Sequence, residues 1–341
     1  MKLKTITIDL AKNVFQVCGV NEHIKPQFNQ KLKRSELLDF MRQQTPTVVV
    51  MEACYSSHYW GREIAKLGHD TKLIPAQHVT PFVRGNKNDH NDAFAIAEAS
   101  QRANIRFVPV KSEHQQEISC LHRIRERLVK SKTAMSNQAR GLLSEFGVVF
   151  PCGHKALLSG LTSVIDNPQY SHRLQDMVID MLSEYDTTIE RLKSIKKQLN
   201  EFVDESESGK ILRSIPGIGV INASALLAAI DKGQAFNNPK EFAVWLGLTP
   251  KQHASGNISK MGGITKRGDR YLRKQLIHGA RAFVSRAAKS TDPLALWATK
   301  LRLTKPFNKV AVAVAHRLAR LIWILLTRQE HYRSTPANLS A

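Results

Sequence analysis

The sequence predicts a mixed α/β domain at the N-terminus followed by a helical remainder. Three observations predict it. Alternating β-branched segments and one continuous apolar run fall within the first 75 residues, and past Pro109 the apolar residues change to a three/four spacing. Residues 209–341 also hold 22 Lys/Arg against 5 Asp/Glu, an excess of +17, whereas the first 208 residues carry only +4 of the formal +21. A chain of 341 residues exceeds one average compact core, so two or three folded units are expected.

Residues 3–10 alternate with a period near two, which suits a strand, and Val14 to Val20 reads as its hairpin partner across a turn at Lys12 and Asn13. A third short strand is expected near Gln27 to Lys31. Ser35 is expected to cap a helix through Leu37, Leu38, Phe40 and Met41. Thr47-Val-Val-Val-Met51 is the pattern of a buried central strand, with Glu52 at its end. A helix over 57–67, a strand over 71–75 and a helix from Asp89 to Gln101 complete the order. Three strands, helix, strand, helix, strand, helix is the order of the RNase H-like fold.

Farther on, Ile118, Leu121, Leu128, Met135, Ala139 and Leu142 mark one apolar seam, and Leu174, Val178, Tyr185, Leu192 and Leu199 mark another. Pro151, Gly153, Gly160 and Pro168 are expected to break the chain between them. Two such helices joined by a break predict an antiparallel coiled-coil hairpin, serving as a spacer, a dimer contact or a nucleic-acid clamp. The expected domains are 1–110, the helical linker or dimerisation region 111–206, a mainly helical unit 207–330, and a flexible tail 331–341.

A pI near 10.0 favours a polyanionic partner, and the lopsided basic excess points to a phosphate-binding region. Cys18, Cys54, Cys120 and Cys152 lie far apart, which argues against a zinc site and a disulfide framework. The start is too polar for a signal peptide, and Val310 to Leu326 is interrupted by His316, Arg317 and Arg320. A cytoplasmic protein with no membrane partner is expected.

Two-metal phosphoryl transfer needs several carboxylates converging on one small volume. Asp9 and Glu52, at the ends of neighbouring strands about 5 Å apart, can share a cation. Asp89 and Asp92, three residues apart at a helix start, share one face. Each acid has a plain structural role open to it, as a helix cap or a surface residue. A proofreading-exonuclease arrangement would put Asp-x-Glu on the first strand, but Asp9 is followed by Leu10 and Ala11.

In the basic unit, Leu212 to Val220 reads as a helix-hairpin-helix turn. Gly217 and Gly219 would let backbone N–H groups meet a phosphate, and a plain glycine-rich turn is the alternative. Lys266, Arg267, Arg270, Arg273 and Lys274 gather at a helix start, as a phosphate clamp or as a solvated basic helix. Ser255 sits beside His253 in a polar, glycine-containing stretch read as a loop, where a serine is more often a turn former than a nucleophile.

Asp9, Glu52 and Asp89-x-x-Asp92, the Pro-Gly-Ile-Gly-Val stretch, Leu-Thr-Pro-x-x-x-x-Ser-Gly, and Gly-Gly-Ile-x-Lys-x-Gly-Asp-x-x-Leu-Arg together resemble one family across about residues 1–330. It is the DEDD-type insertion-sequence transposases, related to the Piv-type DNA invertases and known as bridge-RNA-guided recombinases. The resemblance implies a RuvC-like domain, a coiled-coil linker and a C-terminal transposase domain. It implies that Asp9, Glu52, Asp89 and Asp92 bind Mg²⁺, with Mn²⁺ as a substitute, and that Ser255 attacks a DNA phosphodiester to form a covalent intermediate. It further implies a composite site between protomers of a dimer or tetramer, double-stranded donor and target DNA, and a noncoding guide RNA. A junction-resolving hydrolase using the carboxylates alone, and a non-catalytic nucleic-acid-binding protein, stand as alternatives.

Overall fold

The computed structural model describes residues 3–83, 89–103, 105–255 and 258–334, and the chain divides into two compact units, residues 1–116 and 117–341. In the first unit, β1 (Thr5–Leu10), β2 (Val14–Val20) and β3 (Pro26–Lys33) form an antiparallel meander. After α1 (Leu37–Arg42), β4 (Val48–Glu52) returns parallel to β1. Then α2 (Ser57–Lys66) leads to β5 (Asp70–Ile74), parallel to β4. The sheet order is β3-β2-β1-β4-β5, followed by α3 (Ala76–Val79) and α4 (Asp89–Ser100). This mixed sheet between helices is consistent with the RNase H-like fold expected from the element order. Ser35 does not cap α1; Glu36 precedes that helix, and its carboxylate accepts from the Lys33 N–H at 2.8 Å.

The pleat sends alternate residues to two cores. Ile6, Ile8, Phe15, Val17, Val49 and Met51 pack with Leu37, Met41, Trp60 and Ile64 of α1 and α2. On the other face Val50, Ile74, Cys18 and Val20 meet the alanine-rich side of α4, whose small residues let the helix lie close to the strands. Two hydrogen bonds fix the direction of α4. Thr7 Oγ1 donates to Ala93 O at 2.7 Å, and the amide of Gln101, just past the helix end, donates to Thr5 Oγ1 at 3.4 Å. The N-terminus of α4 therefore lies toward the Asp9 end of β1.

The second unit begins on the long helix α5 (Glu113–Ser144), followed by α6 (His154–Ile165) and α7 (His172–Asp204). α5 and α7 pack antiparallel: Ala139 and Leu143 meet Leu174 and Val178 at one end, and Ile118 and Leu128 meet Ile195 and Leu199 at the other. Gly160 does not break the chain; it lies inside α6, where a Cβ would strike the ring of Phe150.

Next come α8 (Glu207–Ser214), α9 (Val220–Ile230) and α10 (Pro239–Trp245), then a ribbon of β6 (Pro250–Ser255) and β7 (Ile258–Ile264), then α11 (Arg270–Val284), α12 (Pro293–Arg302) and α13 (Phe307–Arg328). Ala228 of α9 joins the α5–α7 core, so the helical hairpin and the helices after it form one compact unit. α13 is long and apolar enough to cross a membrane, yet its Val310, Val314, Leu318, Ile322 and Leu326 fill the core shared with α8 to α12. The expected flexible tail is tied down at its start. Tyr332 packs against that core, donates its hydroxyl to Asp292 at 2.6 Å, and its N–H meets Ser214 Oγ at 2.8 Å, while His331 pairs with Glu207 at 2.8 Å. Residues 335–341 of that tail lie outside the described residues.

Candidate active site

Register determines the centre of the first unit. The β1–β4 ladder ends at Ile8↔Met51, so the next pair along the two parallel strands is Asp9 beside Glu52. Asp9 is also the ladder partner of Gln16 on β2, and Gln16 of Lys31 on β3. Glu52, Asp9, Gln16 and Lys31 thus form one row across four strands. They point to the face that α4 covers.

The first turn of α4 lies over this row. Lys31 Nζ pairs with Asp89 at 3.1 Å, and Asn29 Nδ2 donates to His90 O at 3.1 Å. Asp92 belongs to the same first turn, one residue before Ala93, whose carbonyl receives Thr7. All four predicted acids therefore belong to one sheet edge, but Asp89 is turned toward β3. Among the described residues no three His, Cys, Asp or Glu side chains are gathered closely enough to hold an ion. The donor set is hard carboxylate oxygen, which fits Mg²⁺ or Mn²⁺, and Asp9 and Glu52 are the pair already placed for it. Asp89 would join only on leaving Lys31.

Cys54 reports the concentration of negative charge here. Burial, and then the carboxylates of Glu52 and Asp9, push its thiol up to about 11. A thiol held so firmly in its neutral form is no nucleophile.

In the second unit the glycines of the α8–α9 turn have different tasks. Gly217 has φ +85°, and a Cβ there would meet Gly279 O at 3.0 Å and Phe283 Cβ at 3.2 Å, so it serves close packing against α11. Gly219 is exposed and precedes α9 without a side-chain cap, and a Cβ there would meet nothing within 4 Å.

Ser255 stands on a strand rather than in a loop. It ends β6, pairs with Ile258, and every residue of β6 is exposed. His253 is two residues back on the same strand face, directly opposite Lys260. Gly256, which completes the Ser-Gly motif, lies outside the described residues.

The basic motif proves partly architectural. Asp269 caps α11, accepting from the Leu272 N–H at 2.8 Å, and Leu272 enters the core. Gly247 at φ +68° and Gly268 at φ +96° let two turns cross where a Cβ on either would strike the Arg267 or Trp245 carbonyl. Arg273 departs from the expected clamp: it is buried and donates to Leu246 O at 3.0 Å. Lys274 pairs with Glu126 and lies 5.1 Å from the Tyr271 ring centre, whereas Lys266, Arg267 and Arg270 are exposed.

Sequence reasoning missed two polar arrangements. One is Gln16 in the acidic row. The other is His122, buried between Tyr271 OH at 2.8 Å and Ser224 Oγ at 3.0 Å.

Two family models match the chain. One, described as "Transposase IS116/IS110/IS902 family", matches residues 209–294, and an IS110-type DEDD model described as "Transposase" matches residues 6–148. The chain is 42% identical over 336 residues to the "Probable family 20 transposase" of Pseudomonas aeruginosa, covering 98% of this chain and 99% of that protein. The chain belongs to the IS116/IS110/IS902 transposase family. It is also 38% identical to the "Transposase for insertion sequence element IS1111A" of Coxiella burnetii, over 97% of this chain and 92% of that one. A more distant relative is the "Pilin gene-inverting protein" of Moraxella bovis, 24% identical with 80% of each chain covered. In this IS116/IS110/IS902 transposase, the 6–148 match contains all four acids of the sheet edge and the 209–294 match contains Ser255. Transposases of this family act on DNA by cleavage and strand transfer, and the DEDD type generally uses divalent cations.

Proposed function

We propose that this transposase exchanges DNA strands using Asp9, Glu52, Asp89 and Asp92 as ligands of Mg²⁺, or Mn²⁺ in its place, and Ser255 as nucleophile. The observation that carries the reading is Asp9 beside Glu52 at the ends of two parallel strands, under the acidic first turn of α4. A divalent cation bound there supplies charge neutralisation and polarisation of phosphate oxygens.

Ser255 Oγ forms a bond to phosphorus while the bond from phosphorus to the leaving sugar oxygen breaks. The serine proton passes to a base, for which His253 on the same strand face is the nearest titratable group along β6. The leaving oxygen takes up a proton. Because the phosphoester energy is kept in the Ser255 linkage, the reverse attack by another strand's hydroxyl rejoins DNA without hydrolysis. Lys266, Arg267, Arg270 and the N–H groups after Gly219 hold phosphates, with Lys274 joining when it leaves Glu126. Double-stranded donor and target DNA, a guide RNA and a homo-oligomeric assembly rest on the family resemblance.

The test is Ser255→Ala in a strand-exchange assay with a denaturing gel. The wild type is expected to give a covalent protein–DNA band, and the variant to lose the band and exchange while retaining DNA and RNA binding. Normal recombination by the variant overturns the serine role, and cleaved ends without a covalent band point to simple hydrolysis.

A further inference from the structure

Gln16 is 4% exposed, and its side chain belongs to the acidic row between Asp9 and Lys31. Its amide orientation follows from a chain of partners. His90 O can only accept, so the Asn29 side chain must present its NH₂ there, at 3.1 Å. That leaves Asn29 Oδ1 to face Gln16, whose Nε2 donates to it at 2.5 Å. The Gln16 amide cannot be reversed without setting two oxygens against each other. Its Oε1 is thereby turned away from β3, toward the side where Asp9 stands, and among the described residues no donor reaches that buried oxygen.

An enclosed acceptor without a donor is unusual, and one beside a carboxylate more so, because its neighbour is an acceptor as well. A positive centre between them satisfies both. We propose that Gln16 is a further oxygen donor of the carboxylate site, presenting Oε1 to the divalent cation held by Asp9 and Glu52. The proposal rests on the metal reading given above. A neutral amide is a suitable addition to an acidic set: it contributes a hard oxygen without adding to the repulsion among the acids. Through Asn29 it also links the site to the first turn of α4.

The experiment measures Mn²⁺ binding to the full-length protein without DNA, following the free-ion signal by electron paramagnetic resonance. Gln16→Met keeps the length and removes the oxygen. It is expected to weaken Mn²⁺ binding about 10-fold or more, the scale seen when a group supporting a metal site is lost. Gln16→Glu is expected to bind at least as tightly as the wild type. Asn29→Ala severs the same tether without touching Oε1 and is expected to weaken Mn²⁺ binding less than Gln16→Met does, which separates metal donation from scaffolding. Thermal melting checks that each variant is folded. Gln16→Met binding within twofold of the wild type, while Asp9→Asn abolishes binding, overturns the proposal and leaves the metal reading standing. If Asp9→Asn binds like the wild type, the metal reading falls and Gln16 with it.

Discussion

Arg273 donates from Nη1 to the carbonyl of Leu246 at 3.0 Å and is 9% exposed, while Arg270, one turn earlier on α11, is exposed. Two arginines of one motif therefore have different duties. Removing a buried charged donor leaves an unpaired carbonyl and a void, so Arg273→Ala is expected to cost about 2–4 kcal/mol. Arg270→Ala is expected to change stability by less than about 0.5 kcal/mol but to weaken DNA binding and lower its salt slope by about one. Urea unfolding and DNA titration at several salt concentrations give both quantities. Equal stability of the two variants overturns the division.

That division shows what sequence patterns carry. Thr5–Leu10 and Val48–Glu52 were legible because both strands are buried on both faces, which writes a continuous apolar run into β4 and alternating threonines and isoleucines into β1. Asp9 and Glu52 followed, since a residue at a strand end is located by the strand alone. The ribbon around Ser255 was not legible: every residue of β6 is exposed, so no hydrophobic alternation marks it. Arg273 looked like its basic neighbours because burial of one arginine depends on the Trp245–Gly247 turn, which a linear reading does not place beside α11. Gln16 was hidden for a stricter reason. Its significance lies in which of two amide atoms is paired, and that depends on Asn29 and on the distant His90 carbonyl.

Gly247 and Gly268 both occupy left-handed backbone and touch the opposing turn, so a methyl group at either is strained in φ and blocked in space. Gly268→Ala and Gly247→Ala are each expected to cost at least about 2 kcal/mol. Gly263→Ala is a fitting control, because a Cβ there meets nothing within 4 Å. Differential scanning calorimetry of the three variants checks the ranking. A Gly268→Ala melting temperature equal to that of Gly263→Ala contradicts the packing argument.

His122 ties α5 to α9 and α11. Ser224 donates its hydroxyl to Val220 O at 2.7 Å, so it accepts from His122 Nε2–H, and Tyr271 O–H donates to Nδ1. Burial, and then the charge of Arg125, push the His122 pKa down from 6.5 to about 4. A proton binds the unfolded chain more readily than the folded one between those values, so stability is full above about pH 6.5 and falls toward pH 4. The shift corresponds to a loss of roughly 3 kcal/mol. His58 is also pushed down to about 4, chiefly by burial, so the wild-type acid limb contains both. Unfolding free energies at pH 7, 5.5 and 4.5 should show a shallower decline for His122→Gln than for the wild type. Parallel declines count against a neutral buried His122.

Lys31 holds Asp89 at 3.1 Å on the β3 side of the acidic row, with both side chains more than half exposed. An exposed pair of this kind contributes little to folding, so Lys31→Met is expected to alter stability by less than about 0.5 kcal/mol. Its effect on the cation should be larger and of opposite sign. The substitution removes a positive charge from the edge that must receive a divalent ion and frees Asp89 to turn toward Asp9. Mn²⁺ affinity is therefore expected to rise by about threefold or more at low ionic strength. The double variant Lys31→Met/Asp89→Asn separates the two contributions: loss of the gain assigns it to the freed carboxylate, and its survival assigns it to the removed charge. Unchanged affinity in Lys31→Met itself means that Asp89 and Lys31 lie outside the cation's reach, and the site then depends on Asp9, Glu52 and Asp92.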